Sequence, residues 1–433
     1  MGLEIFILFT LFMVLLLAGV PVAYSLGLPS LVYFFFMQDG NTPIEFIPHT
    51  MTMPLFNFVL IALPAFLLSG RMMNSSGVTA RLYSLAISLV GRFRGGLAYA
   101  NVVASVIFTS MSGTAVGDAG GLGPVQMKMM TKAGYRPVFS AGLSASSSVL
   151  GAIFPPSVAM VILGATAEIS IGRLFLAGII PGFIMAGALL INVAIRARFT
   201  EEGRSWPVET VPLKRIPMDI GRAFLPIMTP VIIVGGIMSG FVTPTEAAVL
   251  AINYSILLGI FYRELTFKKF ISTMTDTAVT TGVFMFLIAV AGFFTWIVTQ
   301  MGLPMIIADT LAPLTAFSPQ LTMLVLAVAC LLIGLFLDTT AAILMTAPIL
   351  MPIVHAAGLD PVHFGVVMIV AFITGIITPP FGICVFVMSD VAKLPVKDVQ
   401  RESLRYLPVM LIALLIIVFA KDLVLFLPNL LMG

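Results

Sequence analysis

The chain has 433 residues, of which 60% are hydrophobic and only 9% are charged, whereas a soluble globular domain has about 25% charged residues. The net charge of +3 is too small to indicate a polyanionic partner. This composition excludes a soluble enzyme, a nucleic-acid-binding protein and a disordered scaffold. It predicts an all-α polytopic membrane protein, because the apolar segments approach the roughly 20 residues that one span needs.

The first predicted span covers residues 3–20. A secretory signal peptide begins with basic residues and has a short apolar region. This segment has Glu4 in place of a basic residue, and its apolar stretch is longer than that. We therefore interpret it as a membrane span that belongs to the folded protein.

The remaining elements of the first half follow in order. They are spans at 22–37 and 51–70, a surface segment at 71–95, a re-entrant hairpin at 97–131, a broken span at 137–169 and a last span at 174–196. In the surface segment Leu82, Leu85, Ala86 and Leu89 recur at helical spacing beside arginines. This spacing predicts an amphipathic helix that lies in the membrane interface.

The second half repeats this order after a polar linker at 197–222. Its elements are spans at 224–242, 245–262 and 276–298, a surface segment at 300–318, a hairpin at 320–355, a broken span at 361–392 and a last span at 406–427.

Small and helix-breaking residues recur between the two halves at a spacing of 224 residues. The segment AGYRPV (133–138) returns as AGLDPV (357–362), and Pro155-Pro156 returns as Pro379-Pro380. We therefore predict two structural repeats, 1–196 and 223–433. Each repeat has five crossings, one of them broken, and one re-entrant hairpin.

The charges predict that these repeats have opposite orientations in the membrane. Segment 71–94 carries four arginines and no acid, whereas its counterpart 300–319 carries Asp309 and no base. Because basic residues favour the cytoplasmic side, the two segments are expected on opposite faces. The linker is then cytoplasmic, and both chain ends lie outside the cytoplasm.

Four predicted interruptions fall at membrane depth, where irregular backbone survives only inside protein or beside a water-filled cavity. Two are hairpin tips, at 110–118 and 337–341, and two are span breaks, at 151–157 and 375–382. A Pro-Pro pair removes two donors and frees carbonyls. Carbonyls and hydroxyls together suit an alkali cation, for which we predict Na⁺ rather than a proton, since the Pro-Pro breaks are not titratable. Alternatively, each Pro-Pro pair only kinks a long helix.

Two acidic residues lie at the predicted tips, and charges at membrane depth are commonly functional. Asp338 could bind a cation, bind a substrate hydroxyl or cap the returning half-helix. Asp118 lies beside Gly117 and Gly120, which could instead serve close helix contact. Elsewhere, Thr243-x-x-Glu246 predicts a capping box rather than a site.

The predicted topology puts no Lys or Arg near the middle of the membrane. A carboxylate substrate would then be balanced by bound cations and by the positive ends of the half-helices. The three histidines, His49, His355 and His363, are predicted at the outer surface.

Five motifs make the whole chain resemble the large membrane subunit of tripartite ATP-independent periplasmic (TRAP) transporters. They are SMSGTAVGDAGGLGPVQMKMM (110–130), GAIFPPSVAMVILG (151–164), GFVTPTEAA (240–248), LDTTAAILMTAPILMPI (337–353) and GIITPPFGICVFV (375–387). The resemblance implies Na⁺-driven uptake of an organic acid, such as a C4-dicarboxylate, a 2-keto acid or sialic acid, by an elevator mechanism. It also implies a periplasmic substrate-binding protein, a small four-helix membrane subunit and a location in the bacterial inner membrane.

The same resemblance assigns site residues by motif. One Na⁺ would lie between the first tip and the first break, a second between the second tip and the second break, and the substrate between the tips. The cation ligands so implied are Ser110, Ser112, Gly113, Thr114, Gly151, Pro155, Asp338, Thr339, Thr340, Gly375, Thr378 and Pro379. The implied substrate contacts are Ser112, Thr114, Asp118, Ser157, Thr339 and Thr340.

Three other functions are compatible with parts of this pattern. A Na⁺/carboxylate symporter that needs no binding protein would have related architecture. A passive channel would need a continuous pore, which tips paired with breaks do not favour. An intramembrane aspartyl protease could use Asp118 and Asp338, although the chain has neither HExxH nor GxSxG.

Overall fold

The computed structural model describes residues 2–37, 42–208, 212 and 215–432, and Asp39 lies outside them. The helices of the first half are α1 (Gly2–Leu17), α2 (Val22–Phe36), α3 (Phe46–Thr52), α4 (Ala62–Ser75), α5 (Val78–Val90), α6 (Gly96–Ser112), α7 (Ala115–Gly121), α8 (Gly123–Lys132), α9 (Pro137–Ser148), α10 (Val158–Ala167), α11 (Ile171–Phe199) and α12 (Glu201–Arg204). Short 3₁₀ turns lie at Met53–Phe56, Phe58–Ile61 and Val149–Ala152.

The second half is also helical over the residues described. Its helices are α13 (Arg215–Met238), α14 (Pro244–Phe261), α15 (Phe267–Gln300), α16 (Leu303–Phe317), α17 (Pro319–Gly334), α18 (Thr339–Ala356), α19 (Pro361–Gly375), α20 (Ile383–Ala392), α21 (Val396–Ser403), α22 (Leu407–Phe419) and α23 (Lys421–Met432).

Several helices are long and apolar enough to cross a membrane. Six described helices meet that test, and a seventh span results if the bent pair α21–α22 is counted as one. The chain is therefore a helical, multi-span membrane protein. Ten crossings in two inverted repeats remain a prediction from the sequence.

Pro and Gly positions separate the helices of both halves at similar places. The hairpin α6–α8 runs from Gly96 to Lys132, and α9 and α10 lie on either side of Pro155-Pro156. After 224 residues, α18 and α19 begin at Thr339 and Pro361, as α7 and α9 begin at Ala115 and Pro137.

Two predicted spans are interrupted in the structure. The segment predicted as one span at 51–70 consists of short turns followed by α4, because Asn57 accepts a hydrogen bond from the Val59 N–H and donates to the Ala165 carbonyl. These bonds hold the chain outside a helix there. The last span, predicted at 406–427, is divided at Ala420 into α22 and α23.

The histidine prediction was wrong for one of three residues. His49 and His355 are exposed, but His363 on α19 is 3% exposed. Its Nε2 lies 2.9 Å from the carbonyl oxygen of Ile417, two residues before α22 ends. A histidine on the apolar side of a helix can thus satisfy a carbonyl beside a helix break.

The predicted linker is attached to the helices near its start. The ring of Trp206 lies 4.5 Å from that of Phe139, between their centroids, and only 6% of Trp206 is exposed. Nearby, Arg196 at the end of α11 pairs with Glu402 on α21. The first part of the linker therefore packs on α9 and is not a free connection.

The two halves pack into one another around the hairpins. Helix α10 of the first half contacts α18 of the second, and α20 of the second half contacts α7 and α9 of the first. Helices α4 and α15 contact each other beside this central group. Because helices of each half pack on helices of the other, the hairpins and broken helices of both halves meet near the centre of the molecule.

Candidate functional site

The first tip, residues 112–114, is a tight turn between α6 and α7. Gly113 has φ of +64°, a left-handed conformation that costs glycine little. The Thr114 hydroxyl then accepts a hydrogen bond from the Gly117 N–H at 3.0 Å and caps α7. The turn therefore reverses the chain with two non-helical residues.

The first break, residues 149–157, packs directly against this tip. The Val158 N–H donates to the Gly113 carbonyl at 3.0 Å. A Cβ at Gly151 would lie 2.5 Å from the Thr114 carbonyl oxygen, so this contact excludes a side chain. Pro155 is buried at the same place. The predicted proximity of the first tip and the first break is present in the structure.

The second tip begins with a turn at residues 335–337, has its N-cap at Asp338 and continues into the first residues of α18, Thr339 and Thr340. Asp338 Oδ2 accepts a hydrogen bond from the Thr340 N–H at 3.0 Å. Of the three interpretations offered for Asp338, capping is thus observed. The carboxylate also lines a cavity, so capping and ligand contact are compatible.

The second break, residues 376–382, is more open than the first. Just before this break, the end of α19 lies directly against the end of α17. A Cβ at Gly375 would lie 2.5 Å from the carbonyl carbon of Gly334. Thr378 donates its hydroxyl to the Thr374 carbonyl at 3.0 Å. Pro379 is exposed. In this conformation the first predicted cation site is therefore more enclosed by protein than the second.

Both tips border one cavity of about 350 Å³, within the size range of small-molecule sites. Its wall includes Ser112, Gly113, Thr114, Asp338, Thr339 and Thr340 from the tips, and residues of α4 and α15 close the other side. The predicted position of a substrate between the tips thus corresponds to a real space.

Two buried hydroxyls at this cavity have no partner among the residues described. They are Ser112 Oγ and Thr339 Oγ1, one from each tip. Buried polar atoms are normally hydrogen-bonded, so these oxygens are available to a ligand or a cation. Ser110 lies at the end of α6, and its side chain is outside the described part.

The sequence prediction missed one charged residue of the cavity. Arg71 was expected at the start of a surface segment, but α4 continues to Ser75 and Arg71 lines the cavity. Its Nη2 donates to Thr280 Oγ1 on α15 at 2.6 Å. No carboxylate of the described ranges pairs with it. An arginine thus faces the space between the tips, contrary to the prediction that no basic residue approaches the site.

Two predicted substrate contacts do not line this cavity. Ser157 is buried, donates its hydroxyl to the Ala152 carbonyl at 2.6 Å and caps α10. Asp118 is 1% exposed and does not line the cavity. In this conformation neither side chain can contact a substrate held between the tips.

Two solved structures of transporters resemble this fold. The chain resembles the YdaH transporter of Alcanivorax borkumensis with a TM-score of 0.64 and 16% identity, over 95% of this chain and 97% of that one. MtrF of Neisseria gonorrhoeae, described as one of a class of antimetabolite efflux pumps, gives a TM-score of 0.61 over 94% of both chains, also at 16% identity. At this identity the likeness establishes the fold alone.

Residues 9–423 match the family model of the tripartite ATP-independent periplasmic transporter, DctM component. The sialic acid TRAP transporter large permease protein SiaM of Vibrio cholerae is 38% identical over 97% of both chains. The 2,3-diketo-L-gulonate permease YiaN of Escherichia coli is 36% identical over 94% of both, and the C4-dicarboxylate permease DctM of Pseudomonas aeruginosa is 36% identical over 86% of this chain and 87% of that one. The chain belongs to the family of TRAP transporter large permease subunits, which are transporter components and not enzymes.

Proposed function

We propose that this subunit imports an organic acid by Na⁺ symport. The observation that carries the proposal is the cavity between the two tips, whose wall includes Arg71, an arginine without a carboxylate partner among the described residues. The guanidinium can form a bidentate contact with a carboxylate. The tip hydroxyls Ser112, Thr339 and Thr340 are suited to hydrogen-bond the rest of a hydroxy or keto acid.

Na⁺ is the coupling ion that the residues at the tips fit. Ser112 Oγ and Thr339 Oγ1 are buried oxygens without partners in the described ranges, and the Pro156 carbonyl of the first break lies beside Gly113 of the first tip. Hard oxygen ligands of this kind suit an alkali cation. Bound Na⁺ would also offset the repulsion between Asp338 and a carboxylate substrate in the same cavity.

A second cavity supports alternating access. It has about 500 Å³ and is lined by Asn57, Glu168 and Thr295 among others. Along α15 the first cavity contacts Thr280 and Phe284, and the second begins one turn later at Ile288. In the elevator mechanism we propose, the hairpins and broken helices carry the tips between these two openings, while the remaining spans form a scaffold.

The relatives support a proposal for the substrate class and the partners. Relatives are named for sialic acid, 2,3-diketo-L-gulonate and C4-dicarboxylates, so this chain is proposed to carry an acid of one of these types. A periplasmic binding protein would deliver it, and a small four-helix membrane subunit would remain bound. The complex would lie in the bacterial inner membrane with both ends of this chain in the periplasm.

Uptake into proteoliposomes tests this function. The vesicles would contain this chain and its small subunit, and a panel of labelled acids would be added with and without a Na⁺ gradient and with and without the binding protein. Uptake that needs both would support the proposal and identify the acid. Uptake with Na⁺ alone would instead establish a symporter independent of a binding protein, and no uptake of any acid would reject the proposal.

A further inference from the structure

Asn253 is a polar residue halfway along α14 that faces away from the rest of the protein. Helix α14 has 18 residues and is apolar enough to cross a membrane. Its buried side includes Ala251 and Ser255, and the Ser255 carbonyl accepts a hydrogen bond from Ser76 at 3.0 Å. Asn253 is exposed and lies about 200° around the helix from Ala251. Its side chain therefore points out of the molecule near the middle of a membrane span.

The side-chain amide of Asn253 has no hydrogen-bond partner in the described part of the chain. Exposed threonines on other apolar helices bond within their own helix. Thr275 donates to the Ile271 carbonyl at 3.0 Å, and Thr310 donates to the Ile306 carbonyl at 2.7 Å. Hydrocarbon offers neither donors nor acceptors, so an amide that faces lipid without such a bond is costly. A group from outside this chain is therefore needed to satisfy Asn253.

The surface around Asn253 is the least covered among the long apolar helices described. Within the protein, 22% of the apolar window of α13 and 33% of that of α14 are buried, whereas the other four have at least 50%. On α13, nothing lies within 4 Å of a Cβ at exposed Gly235, and small residues let a second helix approach closely. We define the α13–α14 face by its exposed residues Val231, Gly235, Leu250, Asn253 and Leu257.

Neither lipid nor a second copy of this chain fits the α13–α14 face. Acyl chains can cover Leu250 and Leu257, but they cannot form a hydrogen bond with Asn253. Glu246 is exposed and lies two turns from Asn253 on the same side of α14. A symmetric contact between two copies through α14 would bring their Glu246 carboxylates together. The face is therefore complementary to a transmembrane helix of a different chain.

We propose that the α13–α14 face binds a transmembrane helix of the small membrane subunit, with Asn253 hydrogen-bonded to a polar side chain of that helix. This inference rests on the small subunit that belongs to the proposed function. By charge complementarity, the partner helix carries a basic residue opposite Glu246 as well as its polar residue at mid-membrane. Because α14 packs along α4, which lines the cavity, the contact holds the scaffold on the side away from the hairpins.

Photo-cross-linking tests which molecule covers this face. A benzophenone amino acid would replace Leu257, which is 64% exposed beside Asn253, or Ile191 on α11, which is 59% exposed. This chain and its small subunit would be produced together and illuminated in their membranes. The small subunit is expected to be joined to position 257 and not to position 191. A cross-link from position 257 to a second copy or to lipid alone, or equal yields of small-subunit cross-links from both positions, would overturn the proposal.

The affinity of the two subunits tests the hydrogen bond. Asn253→Leu is expected to raise the dissociation constant about three- to thirtyfold, which is the range for an interhelical hydrogen bond in a membrane. Asn253→Gln keeps the amide and should retain most of the affinity. The control Thr275→Val removes a hydroxyl that bonds within its own helix and should leave the constant unchanged. The measurement is energy transfer between labelled subunits diluted in lipid vesicles, and an unchanged constant in Asn253→Leu would contradict the proposal.

Failure of this inference is distinguishable from failure of the proposed function. If the small subunit binds wild type but neither cross-links at position 257 nor responds to Asn253→Leu, this site is rejected and the transport function stands. If the small subunit does not bind wild type at all, this site and that partner are rejected together. If the complex forms and responds as expected but takes up no acid, the contact is established and the transport function is rejected.

Discussion

Arg71 illustrates how a single residue changes the electrostatics of the site. In a membrane protein an arginine away from bulk water is expensive unless it has a partner. Arg71 has one neutral hydrogen bond, to Thr280, and no ion pair in the described ranges. The remaining donors of its guanidinium are directed by a planar group and suit a carboxylate. An anionic substrate would supply the missing partner.

We expect Arg71→Gln to weaken substrate uptake mainly through KM. Loss of a charged hydrogen bond costs about 1.5–3 kcal/mol, which corresponds to a KM roughly ten- to a hundredfold higher. The measurement is the initial rate of uptake against substrate concentration. Arg92→Gln, at an exposed position, is the matched control and should leave KM unchanged. An unchanged KM in Arg71→Gln would show that the arginine does not contact the substrate.

At the scale of secondary structure, the contact between a hairpin tip and a broken helix depends on glycine. Gly151 lies against the backbone of Thr114, with a hypothetical Cβ 2.5 Å from the carbonyl oxygen. Backbone cannot move aside as a flexible side chain can. The tip and the break are therefore held at a fixed separation, which is a requirement of any cation site built from both.

We expect Gly151→Ala to separate the first tip from the first break. Overpacking of this kind costs about 1–3 kcal/mol, so thermal unfolding should begin at a lower temperature. Stabilisation by added Na⁺ should also be reduced, because ligands from the two elements no longer converge. The measurement is the unfolding temperature of purified protein with Na⁺ or with choline.

Gly187→Ala is the control for this experiment, because nothing lies within 4 Å of a Cβ at that helical position. It should match wild type in both stability and Na⁺ response. If Gly151→Ala lowers the unfolding temperature but retains the full Na⁺ response, the first tip and break do not form a cation site.

The same elements show what the sequence could predict. Prolines, glycines and capping residues act locally, so the sequence predicts the hairpins, the breaks and the capping box of Thr243 and Glu246, and the capping box is observed. Tertiary neighbours are not local. The cavity position of Arg71, the burial of Trp206 and the burial of His363 depend on helices far away in the chain, and no periodicity within their own segments indicates them.

Asp118 and Asp338 looked alike in the sequence, since both were acids at predicted tips. Asp338 is an N-cap at the cavity, whereas Asp118 lies one turn inside α7, is buried and does not line the cavity. The two acids differ in their distance from the residue at which the helix begins, and this distance decides which face of the helix each side chain occupies. A shift of one or two residues in a predicted boundary rotates a side chain to another face of the helix, and sequence boundaries are not known that closely.

For the whole molecule, the interlocking of the two halves has a consequence for motion. Helix α10 packs on α18, and α20 packs on α7 and α9, so a hairpin and a broken helix from each half form one packed group. Independent movement of one half would expose both interfaces. The proposed elevator movement therefore carries elements of both halves together, past α4 and α15.

If the two halves have opposite orientations, as the charges predict, their surface helices are labelled from opposite sides of the membrane. The protein would be freed of its two cysteines, Cys330 and Cys384, which are buried and unpaired, and a single cysteine would be introduced at exposed Arg92 or at exposed Asp309. Because basic residues mark the cytoplasmic side, a membrane-impermeant maleimide should label Asp309→Cys in intact cells and Arg92→Cys only after the membrane is opened. Uptake by both variants would verify that the labelled protein is folded. Labelling of both positions from the same side would contradict the inverted arrangement and, with it, the periplasmic position of the chain ends.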